Sequence, residues 1–144
     1  MNNIVARYYQ LLKEEKKLTK EDEDELLSYK IALQKTRRWE NREDYLAVIK
    51  DFVNGEITAD NFQDDFLAIW NYDCKQVPNQ ITEESFQMLP VKENFNSFLR
   101  DLFFTVGEDF DYEATTYEEC NEVWLKDVVS KDWTNFLKTI KSEK

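Results

Sequence analysis

The chain has 144 residues, the size of one ordinary domain, and its 30 acidic against 19 basic residues give a formal charge of -11. Ten Phe, seven Tyr and four Trp supply material for a packed core that an acidic disordered tail would lack, while two Gly and two Pro are too few for a Rossmann unit, a P-loop or an all-β sandwich. Histidine is absent, which removes Ser-His-Asp and Cys-His chemistry, His-ligated zinc and the usual acid–base catalyst.

Ile4, Val5, Tyr8, Leu11 and Leu12 recur at helical spacing and predict a first helix from Asn3 to about Lys16. Thr19 is an N-cap candidate with Asp22 three residues on, and a second helix should carry Leu26, Leu27, Tyr29, Ile31 and Leu33. Its opening run, Glu21 to Glu25, suits the positive end of a helix dipole and reads as a solvated helix start. A basic patch follows: Lys35, Arg37, Arg38 and Arg42 with Trp39 among them. Basic residues interleaved with an aromatic can hold nucleic acid. In a chain of -11 they better suit pairing with its own carboxylates or docking of the N-terminal hairpin on the body.

Asn41 can cap a third helix from Arg42 to Val53, bearing Tyr45, Leu46, Ile49 and Phe52, and Asn54-Gly55 stops it. Thr58 caps a fourth, Ala59 to about Tyr72, with Phe62, Phe66, Ile69 and Trp70 on one face and Asp60, Asp64 and Asp65 elsewhere. Joined by so short a connection, the two should form an antiparallel hairpin. A polar linker, Asp73 to Ile81, contains Pro78; Thr82 should open a short helix ending at Leu89. Val91 to Phe104 is helical again, burying Phe95, Phe98, Leu99, Leu102 and Phe103. The last helix, from Asn121 or Glu122 to Lys141, should bury Leu125, Val129, Trp133, Phe136, Leu137 and Ile140. No stretch alternates with period two, so the expected fold is all-α: a single compact bundle of six or seven helices, with an N-terminal helical hairpin over residues 1–36 and a body over 37–144.

Between the last two helices, residues 106–122 hold seven carboxylates and no basic group: Glu108, Asp109, Asp111, Glu113, Glu118, Glu119 and Glu122. The Asp109-Asp111-Glu113 spacing invites a calcium reading, but an EF-hand loop counted from Asp109 would need Gly where Ala114 stands and Glu where Cys120 stands. No metal or cofactor is expected, and carboxylates alone make a poor case for catalysis. Cys74 and Cys120 lack metal-site or redox spacing and suit a reducing compartment, as buried or semi-buried small apolar side chains. The N-terminus has no signal or transit pattern and no apolar run is long enough to cross a bilayer, so a cytoplasmic protein, monomeric when free and without affinity for nucleic acid, is the expectation. A loop of seven negative charges between aromatic anchors suits a basic cleft, and it equally suits a solvated surface.

The stretch from Tyr45 through Asp51-Phe52-Val53-Asn54-Gly55-Glu56-Ile57-Thr58 to Phe62 resembles the opening of the bacterial self-protective colicin-like immunity family. Leu99 to Val106 followed by Glu108-Asp109-Phe110 resembles that family's later helix and acidic loop. The likeness spans residues 43–140 and extends to small algal plastid proteins of the same pattern; the N-terminal 35–40 residues and the 105–121 connection depart from it. It implies a helical inhibitor that neutralises a toxic ribonuclease by covering its basic active site. Glu108, Asp109, Asp111 and Glu113 would meet the toxin, with Asp60, Asp64 and Asp65 as a second acidic edge. The alternative expectation is an acidic interaction or assembly subunit of a larger intracellular or plastid-stroma complex, with no toxin partner.

Overall fold

The computed structural model describes residues 3–142. Six α-helices follow one another: α1 (Ile4–Lys13), α2 (Lys20–Glu40), α3 (Arg42–Val53), α4 (Ala59–Asp73), α5 (Pro90–Phe104) and α6 (Glu122–Ser142). Short 3-10 turns sit at Glu15–Lys17 and Glu83–Phe86, and a π turn at Thr105–Asp109 extends α5; no strand occurs among the described residues. The architecture is an all-helical bundle, as the periodicity predicts.

Most helix ends obey local chemistry. The Thr19 hydroxyl accepts from the Asp22 amide at 3.3 Å, and the Thr58 hydroxyl from the Asn61 amide at 3.2 Å, so each satisfies an orphan donor of a first turn. Gly55, at φ +78°, closes α3 in the left-handed conformation glycine adopts cheaply. Asn121 Oδ1 accepts from the Trp124 amide at 3.1 Å and starts α6. Two expectations fail. Asn41 does not cap α3 with its side chain; its amide is drawn instead to Asp73. The predicted helix 82–89 is a single 3-10 turn, because Pro90 holds Leu89 extended and then occupies the first position of α5.

The side chains collect into two cores. The larger joins α3 to α6: Tyr45, Ile49 and Phe52 meet Phe62, Phe66 and Trp70 of α4, Phe95, Leu99 and Leu102 of α5, and Leu125, Val129 and Phe136 of α6. Its aromatic rings stack face to face, Phe52 on Phe62 at 4.4 Å, Phe98 on Phe136 at 4.3 Å and Trp70 on Phe103 at 4.8 Å. Leu137, expected inward, is 39% exposed because the buried α6 stripe runs through Val129, Phe136 and Ile140. The smaller core gathers Tyr8, Leu11, Leu26 and Leu33 around Phe86, which the 3-10 turn delivers from the far side of the chain. Helix α2 is long enough to serve both: its N-terminal half pairs with α1 and its C-terminal half lies against α5, α3 and α4.

That second half is the basic patch, and each of its cations has a contact within the molecule. Lys35 pairs with Glu93 at 3.0 Å, and Arg37 Nε donates to Asp73 at 3.1 Å. Arg38 lies 3.9 Å over the Trp70 ring, and Arg42 sits 4.3 Å over Trp39 while donating to its carbonyl. Asp73, fully buried at the end of α4, also accepts from Asn41 Nδ2 at 3.1 Å and Tyr45 OH at 2.7 Å. One carboxylate thus ties α2, α3 and α4 together. Lys92 does the same with a cation: buried, it donates to the Thr36 hydroxyl at 3.0 Å and to the Glu84 and Gln87 carbonyls at 3.1 Å.

Candidate acidic binding surface

The acidic segment is a shaped loop. Val106 and Phe110 are buried and fix its start against the body. Its two ends are drawn together where the Asp111 amide donates to the Cys120 carbonyl at 3.0 Å. Cys120 adopts φ +67°, an uncommon conformation for a residue with a Cβ, which turns the chain into α6. Between these points the Glu113 amide donates to Asp111 Oδ1 at 2.9 Å, an Asx turn, and the Cys120 and Asn121 amides return to the Tyr117 and Thr116 carbonyls. Asp111 is therefore a structural acceptor as well as a surface charge, a role that spacing alone does not reveal.

All seven carboxylates of 106–122 are exposed, as are Tyr112 (65%) and Tyr117 (42%). The Tyr117 phenol is pushed above its ordinary range by desolvation first and by Asp127 of α6 second. Glu108 and Asp109 lie on the π turn, whose flank meets α4: Gln63 Nε2 donates to the Val106 carbonyl at 2.9 Å, and Gly107 lies beside Leu67. Asp60 and Asp64 share that α4 stripe at helical spacing with Gln63 and Leu67, so they flank the turn. Asp65 is about 200° around the helix from Gln63 and faces another direction. The π turn that bears Glu108 and Asp109 thus packs against the α4 stripe that bears Asp60 and Asp64, while Asp111 and Glu113 follow on the loop and Asp65 faces another way.

Other polar groups fall outside this edge. Asp132, half-buried in the α5–α6 cleft, is held above the usual carboxylate range by burial and then by the charge of Asp101. Cys74, expected buried or semi-buried, is exposed at the end of α4, Cys120 is partly buried, and both are free thiols. Among the described residues no group of three or more carboxylates and thiols is placed to hold a metal ion, and no helix is long and apolar enough to cross a membrane. Comparison with protein-family models, curated protein sequences and solved structures finds no match to this chain.

Proposed function

We propose that this chain is a non-catalytic binding protein that covers a basic cleft of a partner, of the ribonuclease-toxin kind that the colicin-like immunity resemblance implies. The observation that carries the reading is the display of seven exposed carboxylates, with no basic residue among them, on a loop closed at Asp111–Cys120 and anchored by Phe110. A preformed loop loses little conformational entropy on binding, and its charges accelerate encounter with a cationic cleft. Tyr112 and Tyr117 add apolar area with a polar tip, the side-chain type that anchors interfaces. The Asp60–Asp64 edge widens the negative face beyond the loop itself.

The test is capture of the tagged protein from its native cell at low and high salt, with nuclease assay of what is released. A single small basic protein, lost at high salt and nuclease-active once free, is the expected result. A set of complex subunits that resists salt would replace the inhibitor reading with that of an assembly component. With the partner in hand, the triple variant Asp109→Asn, Asp111→Asn, Glu113→Gln should weaken binding about tenfold or more, since several rim charges at about 0.2–1 kcal/mol each are removed. Asn at 111 retains the Oδ1 acceptor of the Asx turn, so the loop keeps its shape. Unchanged affinity would show that the loop is not the contact surface.

A further inference from the structure

A second surface, of opposite sign, is the outward stripe of α2. Leu27 and Ile31, apolar residues of the predicted second helix, are 55% and 46% exposed, because the inward stripe of α2 runs through Leu26, Leu33 and Thr36. The two exposed side chains stand one turn apart and continue through Gln34 to Arg38, an i, i+4, i+7, i+11 line about 16 Å long. Asn96 and Arg100 of α5, again one turn apart, form the opposite wall, and together they enclose a groove of about 430 Å³.

The groove is cationic in a chain of -11. Lys30, Lys35, Arg38 and Arg100 line it and no carboxylate does. Arg38 and Arg100 have no carboxylate partner among the described residues: Arg38 donates to Asn96 Oδ1 at 2.9 Å and approaches Cys74 Sγ at 3.5 Å. Lys30 and Lys35 are held by Glu15 and Glu93 in partly exposed ion pairs, which a competing carboxylate can exchange at little cost. Gln34 Oε1 and Arg38 Nε, both buried from solvent, have no hydrogen-bond partner. Unsatisfied polar atoms of this kind are unusual in a finished surface.

From this combination we infer that the α2–α5 groove docks an acidic amphipathic helix of a partner protein. Its carboxylates would engage Arg38, Arg100 and the two lysines, and its apolar stripe would cover Leu27 and Ile31. A wall of about three turns along α2, faced by one turn of α5 at Asn96 and Arg100, suits a helix laid along α2. Local charge complementarity chooses an acidic occupant, and the exposed Leu27 and Ile31 in the same groove choose one with an apolar stripe, a peptide helix rather than nucleic acid. This surface is separate from the acidic loop, so the protein would carry two partners of opposite charge.

The probe is a fluorescein-labelled synthetic helical peptide of three to four turns, glutamates on one face and leucines at i, i+4 on the other, titrated by fluorescence anisotropy. Binding to the parent on the order of 10 µM, weakened by high salt, is expected. Arg100→Glu and Leu27→Glu, both at exposed positions, should each weaken it at least tenfold with unchanged circular dichroism. The Asp109/Asp111/Glu113 triple variant should bind the peptide as the parent does, which keeps this test independent of the inhibitor reading. No binding, equal binding by Arg100→Glu, or equal binding of a peptide with serines in place of the leucines would each overturn the inference. So would concentration-dependent self-association of the protein that displaces the peptide, which would assign the groove to a second copy.

Discussion

Removing the Asp73 carboxylate should be among the most damaging single changes available to this fold. Asp73 is 0% exposed and receives Arg37 Nε, Asn41 Nδ2 and Tyr45 OH at 2.7–3.1 Å. It stands in the last turn of α4, where a negative charge opposes the helix dipole, so its retention depends on those donors. Asp73→Ala leaves the Arg37 guanidinium 15% exposed and without its counter-charge, and strands the hydroxyl of Tyr45, itself 0% exposed. Breaking a buried pair by deleting one partner costs about 3–5 kcal/mol, and each additional stranded donor about 1–3, though these overlap; about 4 kcal/mol is a sound expectation. For a chain of this length that corresponds to a fall in Tm of about 8–16 °C. Urea and thermal denaturation followed by circular dichroism measure it. The diagnostic step is Tyr45→Phe in both backgrounds. In the parent it removes a hydrogen bond to a charged group and should cost about 1.5–3 kcal/mol; with Ala at 73 it removes an orphan and should cost nothing or stabilise. A loss below about 1 kcal/mol for Asp73→Ala, or equal effects of Tyr45→Phe in the two backgrounds, would refute the buried node as a unit of stability.

Alkaline pH should act through the same node. Burial, and then the hydrogen bond to Asp73, raise the Tyr45 phenol well above its ordinary value, so above about pH 10 the unfolded chain releases a proton that the folded chain keeps. Stability present below that pH should fall as pH rises, and urea midpoints at pH 8, 10 and 11 should decline less steeply in Tyr45→Phe; parallel slopes would argue against the assignment. Phe66→Ala or Trp70→Ala should cost about 3–5 kcal/mol, since Phe66 is wholly buried and Trp70 is sandwiched between Arg38 and Phe103. Variants as stable as the parent would mean that this face of α4 is not core. Gly55→Ala should cost about 1–2 kcal/mol through the left-handed backbone alone, with Lys126 Nζ the nearest obstruction at 3.4 Å from the added carbon. A neutral result in thermal denaturation would show that the α3 terminus relaxes to another cap.

What the sequence revealed was local. Thr19, Thr58 and Gly55 announce helix ends through interactions within four residues, and the α4 stripe of Phe62, Phe66 and Trp70 follows from periodicity. What it concealed depends on partners remote along the chain. Residues 35–42 have no apolar rhythm, because Arg37 and Arg38 are placed by contacts with Asp73, Trp70 and Asn96, and so the C-terminal half of α2 is not read as helix. Asp73 sits at the head of what reads as a polar linker, since nothing in its flanks distinguishes a buried carboxylate from a solvated one. Asn41 has the composition of a cap but answers to Asp73. The acidic residues of 106–122 were legible as a group, whereas the closure at Asp111–Cys120, and the separation of Asp65 from its neighbours, come from loop and helix geometry.

The division into two cores makes the molecule spectroscopically lopsided. Trp70 belongs to the larger core, and Trp39, Trp124 and Trp133 pack against it, so all four indoles report on one half of the structure. The smaller core, built on Tyr8, Leu11, Leu26, Leu33 and Phe86, contains no indole. Helix α1 packs against α2 and the Glu83–Phe86 turn, whereas α2 has further contacts along α5, α3 and α4. Release of α1 is therefore the low-energy opening of this fold, and it would pass unseen in tryptophan emission while removing helical ellipticity. A single unfolding free energy taken from fluorescence alone would describe the larger core and omit the N-terminal one.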